Sequence, residues 1–184
     1  MKQTHAHFSP LARALHWTMA PLIIAMLFVG VGMVATVSHA HNTLIAIHKP
    51  LGIALLVLVI LRASVRIRRG SPPLPADMPA PQRIAARLSH LVLYALMAAM
   101  PLIGWAMLSA ASYPVVLFGS VHLPSIVPLN PQLHSLLWRA HHYLAFAFFA
   151  VILMHVAAIL FHKLIRNDGI FETMAPVLTH NKPE

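Results

Sequence analysis

No charged residue stands between Arg13 and Lys49, and none between Arg139 and Lys163. Runs of that length restrict the chain severely. A helix that crosses a bilayer needs about 20 consecutive, mostly apolar residues. Inside lipid its backbone N–H and C=O groups must also find partners, and an α-helix supplies them within the segment. Of all residues, 59% are apolar and 9% charged, against about 25% charged in a soluble domain. The chain reads as an integral membrane protein built of helices.

Four spans follow from these runs. The first covers about Leu11 to Val37. The second has a short uncharged centre, Pro50 to Leu61, and becomes long enough from Leu44 to Ile67 if Lys49 and Arg62 snorkel to the two interfaces. The third covers about Ile84 to Leu108 and carries Pro101, where a kink is expected. The fourth covers about Leu136 to Ile165. The expected fold is all-α: one integral membrane four-helix bundle over residues 1–184, with no internal repeat. The first run is too long for the apolar region of a signal peptide and lacks a small-residue cleavage site, so it is expected to be a retained span. The chain contains no cysteine. That excludes disulfides, iron–sulfur clusters, thiolate ligands and c-type haem attachment.

The basic residues give an orientation. Lys2 and Arg13 precede the first span, Arg62, Arg66, Arg68, Arg69, Arg83 and Arg87 surround the loop between spans two and three, and Lys163, Arg166 and Lys182 follow span four. Only Lys49 and Arg139 stand on the other side. The positive-inside rule then makes both termini cytoplasmic. A net charge of +9 is explained by this placement, and no nucleic-acid partner is inferred. The inner loop, Gly70 to Gln82, contains SPPLPADMPAP and reads as an extended linker. The outer loop, Ser109 to Ser135, is longer and lightly apolar, with Tyr113, Phe118 and Pro124 expected along the interface.

Histidine carries the chemistry. There are 14, and an ionisable residue inside a span is a functional candidate because its burial needs a compensating partner. The alternative for any one of them is an interfacial side chain bonded to water or a headgroup. His141 and His155 lie on the same span, and their separation corresponds to about 1400° of helical rotation, roughly 40° short of four turns, with about 21 Å of rise. They therefore share a face, one near each side of the bilayer. His16 opens span one on the inner side, and His48 opens span two on the outer side. Depth sorts the four into His16 with His155 and His48 with His141, each pair drawn from different helices. Neutral imidazole is a common axial ligand of b-type haem iron, so two such pairs suggest two b-type haems in the bundle core. His142 competes with His141 but falls on roughly the opposite face.

Other side chains have narrower prospects. His90, at the inner start of span three, suits a haem propionate or quinone contact, or simple interfacial packing. His162 lies one heptad beyond His155 on nearly the same face and suits a spare ligand, a proton donor or a quinone contact. His5, His7, His39, His41, His122, His134 and His180 fall in tails, loops or span ends and are expected to be mostly solvated. Propionates favour cations. Lys49 and Arg139 are close to the outer ligands, and Arg13, Arg62, Arg66 and Arg87 are available inside. Gly30, Gly52 and Gly104 would let a porphyrin or a neighbouring helix approach closely.

RALHWTMA around His16, IHKPLGI around His48, HLVLYALMAAMPLIGW in span three and the His141–His155 spacing occur here in one order. In that combination the chain resembles the bacterial cytochrome b561 family, the four-helix dihaem type, over nearly its whole length. The resemblance implies axial ligands at His16, His48, His141 and His155, two haem b groups, and electron exchange with the quinone pool of the bacterial inner membrane. It also implies Ser9 and His162 near the quinone. One branch of the family oxidises superoxide at the periplasmic face and reduces ubiquinone, which would give Lys49 and Arg139 the task of attracting an anionic donor. Other relatives serve as quinone-linked cytochrome subunits of hydrogenases and formate dehydrogenases. A relay subunit with a redox-enzyme partner, or a homodimer, therefore stays open beside the superoxide oxidase reading. A histidine-lined metal transporter is a third reading, disfavoured by the scarcity of intramembrane carboxylates.

Overall fold

Ser9 starts the first helix: its hydroxyl accepts the Ala12 N–H at 3.3 Å, and Pro10 supplies a preset backbone angle where no N–H is needed. The computed structural model describes residues 7–75 and 77–176; Lys2, His5, His180 and Lys182 lie outside the described residues. Helix α1 runs Pro10–Ala35, α2 His39–Arg69, α3 Ala80–Ala110 and α4 Pro131–Phe161. A π-helical turn, His162–Arg166, prolongs α4, and a short α5 follows at Ile170–Met174.

The ends of these helices are set by ordinary local chemistry. Ser38 caps α2 through the Ala40 N–H, and Asn130 caps α4 by accepting the Leu133 N–H at 2.9 Å. Gly70, at φ 71°, ends α2 and returns its N–H to the Arg66 carbonyl. Arg66, Arg68 and Arg69 crowd that last turn, where the helix dipole favours cations. The helices extend beyond the expected spans on this account: α2 begins at His39 and α3 at Ala80, so part of each expected loop is helical. Val37 falls just outside α1, past the Thr36 cap. Pro21, Pro50 and Pro101 all lie within helices.

Among the described residues, four helices are long and apolar enough to cross a membrane. α1 packs on α2, α2 on α3, and α3 on α4, so α2 and α4 face each other across the bundle diagonal, while α1 and α4 lack a comparable packed seam. Met19, Leu55, Val59, Leu96 and Phe148 are buried between them. Much of the remaining apolar surface faces outward, Phe28 at 72% exposure and Phe146 at 61% being examples. Water would not tolerate that surface, whereas lipid solvates it.

One end of the bundle, the terminal end, gathers the start of α1, the π-turn and α5. There the segment after α4 is tied back to α1. Phe8 N–H donates to the Thr173 carbonyl at 3.0 Å, Arg13 Nε to the Ala175 carbonyl at 2.6 Å, and Trp17 Nε1 to the Met174 carbonyl at 2.8 Å. This strap bridges α1 and the end of α4. At the opposite, distal end the α3–α4 connection folds into a small hairpin that the all-helical expectation omitted. Strands β1, Val115–Leu117, and β2, Val121–Leu123, pair antiparallel with Val116 opposite His122. Val115 and Leu117 are buried, packed beside α2 and α3, while Phe118 projects at 85% exposure from the turn.

Candidate functional site

Two groups of imidazoles occupy two depths of the bundle. Distally, His48 of α2 and His141 of α4 meet across the diagonal with ring centroids 6.2 Å apart and planes at 67°. Both Nδ1 atoms are buried and lack a hydrogen-bond partner. A buried polar atom without a partner costs roughly 1–3 kcal/mol, so such a pair is built to receive something. Glycines flank it. A Cβ at Gly104 would stand 3.3 Å from His141 Cε1, and one at Gly30 would stand 3.9 Å from His48 Cε1. Gly52 instead gives room to Met26 of α1.

These features fit a haem iron held between the two rings. Neutral imidazole is a common ligand of b-type haem iron, and two such rings brought together from different helices are the donor set that would hold one. A bare ion fits less well. Among the described residues, no three His, Cys, Asp or Glu side chains cluster to hold one, and a pair leaves the other positions to be filled by a macrocycle.

His142 is turned elsewhere. It stacks on Trp138 at 5.6 Å with planes 6° apart and meets the edges of Tyr143 and Phe146. Those three aromatics are themselves exposed, so His142 belongs to the outward face of α4, as its one-residue offset from His141 requires. Lys49 is half-buried beside His48. Arg139 is exposed and lines a cavity of about 310 Å³ with His134, Ser135 and Trp138.

Toward the terminal end stand His16 of α1, His90 of α3 and His155 of α4. His90 and His155 are in edge contact at 5.5 Å, and His16 lies within electrostatic reach of both and of Arg62. His16 also meets Trp17 edge-on at 5.7 Å. His90 Nδ1–H donates to the Ala86 carbonyl at 2.7 Å, one turn back on its own helix. Depth pairing therefore joins three histidines here, and His90 is closer to the group than an interfacial role would need.

At the terminal rim, His162 Nδ1 pairs with Asp168 at 2.6 Å. Asp168 also reaches Arg166 Nε at 3.3 Å, and Arg166 in turn binds Gln82 and Asp77. Lys163 pairs with Glu172. Ser9 and Arg13 have structural tasks as helix cap and strap anchor. Sequence reasoning missed Asp168. The signal was available, since the whole chain has four acidic residues and this one follows His162 by half a dozen positions.

Of the histidines expected to be mostly solvated, His7, His39 and His122 are exposed, whereas His41 and His134 are half-buried, and four of these five also bond backbone carbonyls. His7, His41 and His134 bond the carbonyls of Glu172, Met33 and Met107, and His122 bonds that of Ser120. These contacts join segments that meet only on folding, apart from the local one of His122.

The model of the family described as prokaryotic cytochrome b561 matches residues 7–176. This chain belongs to that family. The cytochrome is therefore a bacterial membrane haem protein of the b type, built as a four-helix bundle. It is similar to cytochrome b561 homolog 2 of Escherichia coli K12, 28% identical over 93% of this chain and 92% of the relative. It is also similar to a Yersinia pestis protein named probable superoxide oxidase CybB, 29% identical over 94% of this chain and 97% of the relative. Cytochrome b561 homolog 1 of E. coli K12 is 27% identical over 92% of this chain and 97% of that protein.

Proposed function

We propose that this cytochrome is a single domain carrying two haem b groups, one held by His48 and His141 and one by His16 and His155, and that it passes electrons from superoxide to ubiquinone across the bacterial inner membrane. The observation that carries the reading is the arrangement of imidazoles at two depths, with the distal rings of His48 and His141 brought together inside the bundle from two helices. Bound there, the haems supply reversible one-electron chemistry.

The protein's own groups do the rest. Lys49 and Arg139 put positive charge near the distal pair, on a side otherwise poor in it, and so raise the encounter rate of an anionic donor. Each superoxide gives up one electron and leaves as dioxygen. Two electrons and two protons convert one ubiquinone to ubiquinol. Ser9 and His162 at the terminal rim are the groups assigned to the quinone, with His162 oriented through Asp168. Asymmetry of Lys and Arg supports cytoplasmic termini and a periplasmic distal end. Similarity to the Yersinia protein supports superoxide as donor.

A specific observation favours a second reading, a relay subunit for a larger redox enzyme. The distal hairpin exposes Phe118 and Val121, an apolar tip that a partner protein would cover. Pulsed superoxide with the purified cytochrome and a soluble ubiquinone separates the two. Quinone-dependent consumption well above spontaneous dismutation is expected. Its absence would pass the assignment to the relay.

A further inference from the structure

Arg62 lies within α2 at the level of the terminal histidines and interacts electrostatically with His16, His90 and His155. Its Nη1 donates to the Ala12 carbonyl at 2.7 Å. A guanidinium offers five N–H donors, and a neutral carbonyl with the neighbouring Tyr94 hydroxyl does not balance its charge. Arg62 is half-buried, and a cation within a span without an anion is costly enough that membrane proteins pair it or aim it at a ligand.

The described carboxylates are committed elsewhere. Asp168 serves His162 and Arg166, Asp77 serves Arg166, and Glu172 binds Lys163. A second cation stands one turn further along α2: Arg66 rests over the Tyr94 ring, 5.5 Å from its centroid. Tyr94 lies against Arg62, near enough for its hydroxyl to interact with the guanidinium, and among the described residues that buried hydroxyl meets no partner in full hydrogen-bonding geometry. Arg62, Arg66 and the Tyr94 hydroxyl thus gather beside the terminal histidines. All three are donors, and together they call for an oxyanion.

We propose that Arg62, Arg66 and the Tyr94 hydroxyl form a carboxylate seat, filled by a propionate of the haem assigned to His16 and His155. The inference rests on the dihaem reading and deepens it. A carboxylate accepts two parallel N–H bonds from a guanidinium and has lone pairs left for a hydroxyl. A lipid phosphate has similar chemistry, but the neighbouring imidazoles favour the propionate. Positive charge held beside that haem favours its reduced form, because reduction adds a negative charge. The seat therefore raises the potential of one haem and leaves the other, near His48 and His141, unaffected.

Spectroscopic redox titration of the detergent-purified holoprotein tests this. In Arg62→Gln, the reduction equilibrium of one b-haem component is expected to fall at least tenfold, which is about 59 mV for one electron. The other component should not move. Arg62→Lys should restore most of the loss by returning the charge. Wild-type protein loaded with haem dimethyl ester, whose propionates carry no charge, should lose that haem faster than haem b on dialysis against apomyoglobin, and Arg62→Gln should add nothing to the loss. An unmoved potential in Arg62→Gln would overturn the seat. So would an ester-loaded wild type that retains its haem like haem b while the Arg62→Gln shift depends on anionic lipid, since the anion would then be a phosphate headgroup. If Arg62→Gln does not accumulate, Arg62→Lys and the ester comparison decide alone. Wild-type protein without haem would defeat the dihaem reading itself, a result distinct from any of these.

Discussion

His48 and His141, from helices diagonal in the bundle, face each other with ring centroids 6.2 Å apart and both Nδ1 atoms unpartnered. Neither residue is near the other in sequence, and α2 and α4 do not form one of the closely packed helix pairs. The juxtaposition is made by the two side chains and the glycines behind them.

Removal of either ring should abolish one haem and spare the other. His48→Ala and His141→Ala are each expected to retain half of the wild-type haem, measured by pyridine haemochrome per chain. His142→Ala should retain all of it, because His142 stacks on Trp138 on the outward face. Loss of a haem in His142→Ala with full content in His141→Ala would reverse the assignment.

The two glycines beside the pair should differ in their tolerance. Gly104→Ala places a methyl group 3.3 Å from His141 Cε1, tighter than an ordinary contact. Forcing the ring off its rotamer costs about 0.5–1.5 kcal/mol, so haem retention during dialysis against apomyoglobin should weaken roughly two- to tenfold. Gly30→Ala has 3.9 Å available at His48 and should behave as wild type. Equal effects at both positions would count against the cradle.

Asp168 is only 8% exposed and holds both His162 and Arg166. Asp168→Asn should weaken two charge-assisted bonds worth about 1.5–3 kcal/mol each. The expected result is faster hydrogen exchange across residues 162–175 with unchanged haem content. Haem loss without local loosening would show that the rim is coupled to the core in some other way.

A chain without cysteine allows a clean test of orientation. In intact cells, a membrane-impermeant thiol reagent should label Phe118→Cys, at the hairpin tip, and should miss Ser71→Cys, on the exposed α2–α3 connection, until the cells are opened. The reverse pattern would place the termini in the periplasm.

Much of this organisation is legible in the sequence because lipid simplifies the code. Charge-free runs reveal the spans, and a gap close to four helical turns puts His141 and His155 on one face. Helix ends were harder to place, since Ser38 and Asn130 cap helices several residues before the apolar pattern begins. The hairpin escaped notice because three-residue strands leave almost no periodicity. His41 and His134 escaped for another reason: their carbonyl partners, Met33 and Met107, lie on preceding helices and come within reach only after folding. The contact of His90 with His155 is of the same kind. Depth along the chain could place both at one level, but could not say which rings would touch.

The central claim is that paired imidazoles at two depths hold two haems. An optical spectrum of the purified protein, oxidised and then reduced with dithionite, combined with haem quantitation, tests it most directly. Sharp low-spin b-type bands with two haems per chain are predicted. A protein that folds and purifies with one haem or none would contradict it.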